Sequence, residues 1–111
     1  MEGKEIPQKP VDNFKIRDEI IFELHQIEDF GDGIRTGIRL NEVEMIKKYL
    51  SLLLGLEIVS KIDPLSLALF LETIDKFCKG QLEDKEEAYA ASHNLQEVII
   101  NFWKKERGLD N

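Results

Sequence analysis

Three glycines close together, Gly31, Gly33 and Gly37, form the kind of cluster that can cradle a phosphate, because bare backbone amides approach its oxygens closely at a helix start. The residues after Gly33 alternate like a strand, and no lysine stands where a phosphate-binding one belongs, so the cluster reads as a hairpin turn. Asp29-Phe30-Gly31 matches a kinase metal-binding triplet, but a chain of 111 residues cannot hold a kinase domain. A calcium loop counted from Asp29 would end on Leu40, which has no oxygen to offer. His25, Cys78 and His93 include no close-spaced pair for zinc. Ser92 and His93 are adjacent, and neighbours on a helix point about 100° apart, so they do not form a nucleophile and base. Glu83, Asp84, Glu86 and Glu87 read as the solvated first turn of a helix and not as an acid/base pair. The chain therefore reads as no enzyme, with no cofactor and no metal.

A basic set remains. On the polar face of the hairpin expected below, Lys15, Arg17, Arg35, Arg39 and His25 cluster with only Glu19 and Glu23 as partners. On one face such residues can follow a phosphate backbone. The chain as a whole is acidic, with 15 Lys and Arg, 22 Asp and Glu and a net charge of −7, which opposes nonspecific binding to nucleic acid or anionic lipid. With 42% apolar and 33% charged residues interspersed, the composition is that of a folded domain. The strongest apolar stretch, Tyr49 to Leu56, is too short to span a membrane, and MEGKEIPQKP has no signal-peptide core. One cysteine suits a reducing compartment, and the expected localisation is cytoplasmic.

The elements that position these residues follow from periodicity. Residues 1–12 are expected to be a flexible lead-in, 13–108 a single domain and 109–111 a tail. From Phe14, the even positions Phe14, Ile16, Asp18, Ile20, Phe22 and Leu24 alternate with Lys15, Arg17, Glu19, Ile21, Glu23 and His25, and Ile34, Thr36, Ile38 and Leu40 alternate again with Arg35, Gly37 and Arg39 after the glycines. This predicts an antiparallel β-hairpin pairing Leu24 with Ile38, Phe22 with Leu40 and Glu23 with Arg39. A helical stripe through Ile16, Ile20, Leu24 and Ile27 competes with it. Helices are expected over 42–54, with Asn41 and Glu44 as a capping box, over 64–79 behind Asp63-Pro64, and over 82–107. Gly55, Gly80 and Gly108 stop them. The predicted fold is α+β, the hairpin packed on three helices; the alternative is an all-α four-helix bundle.

The residues from Phe14 to about Leu54, running into GIRLNEVEMIKKYL, resemble the single-strand-binding transcriptional coactivator family known as positive cofactor four. That resemblance implies a nucleic-acid-binding hairpin face. The chain departs from the family in having two expected strands where the family has four, a long helical tail, and no aromatics on the face. The favoured reading is a non-catalytic protein-binding or regulatory module, a small acidic adaptor or inhibitor-like protein that forms a homodimer. Leu67, Phe70, Leu71, Phe102 and Trp103 are its expected interface, because the helix opening LSLALFL is apolar nearly all round and needs cover on every side. The alternatives are a single-strand-binding protein using Lys15, Arg17, Arg35 and Arg39, or a small enzyme of unknown reaction.

Overall fold

A computed structural model describes the backbone of residues 5–109 and the side chains of residues 17–109. It is all-α. Helix α1 spans Glu5–Leu40, α2 Val43–Leu54, α3 Pro64–Cys78 and α4 Lys85–Glu106, with a 3₁₀ turn over Glu57–Lys61 between α2 and α3. Among the described residues there is no strand, so the α+β expectation is overturned and the predicted hairpin is one continuous helix. Residues 5–12 of the expected lead-in belong to that helix; residues 1–4 lie outside the described part. The likeness to a coactivator's strand-to-helix junction fails with the hairpin, since GIRLNEVEMIKKYL runs from the end of α1 into α2.

The helical stripe wins because it continues through the glycines. Ile20, Leu24, Ile27, Gly31, Ile34 and Ile38 recur at alternating intervals of four and three, which keeps them on one face of a helix. Ile27, Ile34 and Ile38 are buried, whereas Phe22 and Leu40, expected to pair across a hairpin, are 64% and 59% exposed. Ile34 and Ile38 satisfy both a period of two and a spacing of four, which is why the alternation misleads.

Glycines usually destabilise a helix interior by about 1 kcal/mol each relative to alanine. Here they let other helices come close. A Cβ on Gly33 would run into the Tyr49 ring of α2, and one on Gly31 into the Gln96 carboxamide of α4. At Gly37 it would stand 2.7 Å from Ile46 Cγ1 and 3.3 Å from the Glu42 carbonyl oxygen. Gly33 and Gly37, four residues apart, thus form a flat strip on which α2 lies.

Caps at the other ends act locally. Asn41, at φ 58°, closes α1 in the left-handed conformation, with its amide donating to Ile38 and the Glu42 amide to Gly37, a Schellman arrangement. Asn41 therefore ends α1 and is not the cap of α2, whose N-cap is Glu42 without a side-chain hydrogen bond. Asp63 accepts from the Ser66 amide at 3.2 Å, with Pro64 at the first helical position. Asp84 accepts from the Glu86 amide at 3.0 Å. Gly80 and Gly108 sit at φ 72° and 69°, each closing its helix as α1 is closed.

The helices form a row. α1 packs along α2 on one flank and α4 on the other, and α4 packs in turn on α3. Its stripe Ala88, Ser92, Leu95, Ile99 and Trp103 is buried, while Ala91, Leu95 and Val98 border α3. Among the described residues, no helix is long and apolar enough to cross a membrane. The packing predicts that Gly37→Ala, which in an open helix would stabilise, instead destabilises by about 1–3 kcal/mol. Thermal unfolding followed by circular dichroism should show Tm lowered by roughly 5–15 °C.

Candidate protein-interaction face

Among the described residues the basic set does not assemble into one exposed patch. The Lys15 side chain lies outside the described residues, and Arg17 is exposed. Arg35 is 8% exposed, turned into the fold to donate to Gln96 Oε1 at 2.7 Å and to Asp32 Oδ1. A buried guanidinium must have such acceptors, so its role here is to tie α1 to α4. Arg39 is exposed, 3.5 Å from the Tyr89 hydroxyl, and its carbonyl accepts from Lys85 Nζ at 3.0 Å. Arg17 and Arg35, eighteen positions apart in one helix, are separated by about 27 Å along its axis.

Glu23 does not meet Arg39. Its carboxylate accepts from Trp103 Nε1 at 3.1 Å, and both of its oxygens accept from the single nitrogen Nη2 of Arg107. Beside it Lys61 lies 3.5 Å from Glu106 and 3.9 Å from Glu57. These groups line a cleft of about 240 Å³ where α1, the 3₁₀ turn and the end of α4 meet. Each charged group named there faces an opposite one, so the arrangement works as a clamp on the end of the row.

The residues of nucleophile or ligand type are dispersed. Ser92 is buried, and His93 is exposed with Glu97 3.4 Å away. His25 is exposed, and Glu83, Asp84, Glu86 and Glu87 are exposed at the start of α4. Cys78 is half-buried at the end of α3. Burial pushes its thiol above the ordinary range, Lys47 pulling it back and Asp75 adding to the rise. Among the described residues no group of three or more His, Cys, Asp or Glu could hold a metal ion.

The expected interface set divides. Phe70 and Trp103 are each 3% exposed and are core. Leu67, Leu71 and Phe102 are half-buried against that core. Leu65 and Leu69, 64% and 55% exposed, point outward one helical turn apart, away from the inward Leu67, Phe70, Leu71 and Ile74, and exposed Glu72 and Lys76, 3.7 Å apart, continue the same stripe. They were legible as an i, i+4 pair left over once the inward side is set, but choosing that side requires knowing where α4 lies. Leu69 also forms the lip of a groove of about 250 Å³, walled by Ser66 and Thr73 of α3 and by Ala91, Asn94 and Val98 of α4, with Phe70 and Leu95 also lining it. No charged side chain lines it, and Pro64–Leu71 contains none.

Two outcomes test this description. Glu23→Ala should destabilise by about 1–3 kcal/mol in urea unfolding, because it leaves a buried indole N–H without an acceptor, and Glu23→Gln, which keeps an acceptor, should recover much of the loss. Cys78 should be alkylated more slowly at pH 8 than a cysteine in a short peptide, with the rate still climbing above the pH where the peptide levels off, since a raised pKa leaves less thiolate.

No known protein family, no characterised protein and no solved structure matches this chain.

Proposed function

We propose that the protein is a non-catalytic protein-binding module that works through the apolar outer side of the first two turns of α3 and the groove between α3 and α4. The observation that carries this reading is the exposure of Leu65 and Leu69 beside a groove without a charged wall. Single exposed leucines are ordinary, but two on one helical turn, continuous with an apolar groove, form the sort of patch that marks an interface. Burying a leucine fully is worth about 1.5–3 kcal/mol, so the pair supplies a driving force for association. The single cysteine fits a module working in the cytoplasm.

The dispersal of Arg17, Arg35 and Arg39, with Arg35 engaged inside the fold, gives a nucleic-acid interface little support. A photoreactive phenylalanine analogue placed at position 69 tests the favoured reading in cells of the source organism. The expected result is a discrete protein adduct from position 69 and none from position 86, on the exposed acidic turn. Absence of an adduct at 69, or an equal yield from both positions, would overturn the proposal.

A further inference from the structure

We infer that two copies of this chain associate through α1, antiparallel about a two-fold axis near residues 18 and 19, so that the start of each α1 lies along the outer side of the other. The contact leaves the α3 face free and stands or falls apart from that face's role.

Helix α1 outruns its neighbours. The last turn of α4 meets it at Glu23, through Trp103 and Arg107, and Ile20 is the first described side chain packed on the core. From Glu5 to Phe22 the helix continues for about 27 Å. The chain is accordingly 68 Å long against 24 and 20 Å across, with a radius of gyration of 17.8 Å, where a compact chain of this length has about 13 Å. A helix of that length without neighbours is marginal in water, and Pro10 removes one of its hydrogen bonds. A second helix laid along it supplies the packing that α2 and α4 give the rest of α1.

Charge selects the occupant. From Glu5 to Arg17 there are three cations, Lys9, Lys15 and Arg17, against two acids, and from Asp18 to Asp32 there are six acids and no Lys or Arg. Two of the six are met within the fold, Glu23 by Arg107 and Asp32 by Arg35. Asp18, Glu19, Glu28 and Asp29 have no ion-pair partner among the described residues. The two stretches are nearly equal in length, so an antiparallel copy lays the cationic one of each chain on the acidic one of the other, whereas a parallel copy sets acids against acids. An unrelated acidic helix would cover the cationic stretch and leave the acidic one unmatched. A two-fold copy matches both at once.

Apolar residues fall where such a contact needs them. Ile21 and Phe22, 43% and 64% exposed, stand within about 5 Å of the axis along the helix. Four large side chains thus gather at the centre, and the charges lie toward both ends, as in other protein interfaces. Positions 18, 22, 25, 29 and 32 recur at intervals of four and three on one side of α1, and all five are exposed. The track for the second copy is open along its length, because α2 and α4 pack on other sides of α1.

Light scattering after size exclusion, on the full chain from about 1 μM to about 1 mM, is the test. The expected mass at the upper concentrations is twice 12.9 kDa. Lys9→Glu with Lys15→Glu should weaken association about tenfold or more, because each reversed charge acts twice in the contact. Adding Glu28→Lys and Asp29→Lys to that variant returns the net charge to −7 and should restore the dimer, since the signs match again. Lys47→Glu with Lys48→Glu, on α2, changes the net charge as much as the first pair and should leave the dimer intact, as should Leu69→Lys on α3. Phe22→Asp gives a variant of a different kind, expected to weaken association about a hundredfold, should a charge variant lose its helical circular dichroism spectrum. A mass of 12.9 kDa at every concentration overturns the inference. So does a dimer indifferent to both the Lys9/Lys15 and the Phe22 substitutions in folded protein, a fourfold variant no tighter than the double one, or a dimer abolished by Leu69→Lys.

Discussion

The structure depends on how closely α1 can be approached. It is flanked by α2 on one side and α4 on the other, and at Gly31, Gly33 and Gly37 the neighbouring side chains occupy the space in which a Cβ would stand. Three glycines weaken an isolated helix by about 3 kcal/mol. What offsets them is contact: backbone against side chain on both flanks, over the same turns that bury Ile34 and Ile38 completely. Larger residues at these positions would push α2 and α4 outward and open the core that both share with α1.

Polar groups complete what the apolar stripe begins. Near the middle of the row Arg35 reaches Gln96 and Asp32, and near one end Glu23 gathers the Trp103 indole and Arg107. Each joins α1 to α4 across more than 60 residues of sequence, and each satisfies a group that burial would otherwise penalise. Two residues whose charge suggests ligand binding are in this way used up by the fold. The chemistry-bearing residues outside these contacts, His25, His93 and Cys78, lie far apart in sequence, and the two histidines point to solvent.

A row of helices has two edges. At the α2 edge the first turns present Glu44, Lys47 and Lys48 to solvent, and at the α3 edge the first two turns present Leu65 and Leu69, with Glu72 and Lys76 following only later. The proposed function follows from that asymmetry: α3 is apolar on more of its circumference than α4 alone covers. The LSLALFL segment already indicates that surplus, yet the residues expected to carry it differ from those exposed, since Phe70 is packed inward and Leu69 outward.

The sequence by itself determined both ends of α3, the C-terminal end of α4 and the surplus of apolar side chains, whereas α4 begins at Lys85 behind Asp84 and not at residue 82 as its pattern suggests. Asp63-Pro64, Gly80 and Gly108 act on amides and carbonyls within one helical turn, so their effect is readable wherever the chain lies. Between Phe14 and Leu40 the local signals conflict. Isoleucines at 34 and 38 suit a strand or a helix, and glycines suit a turn or a close helix contact. Only the tertiary structure decided between them, because the atoms that give those glycines their purpose belong to Ile46, Tyr49 and Gln96, on helices whose approach no local pattern encodes.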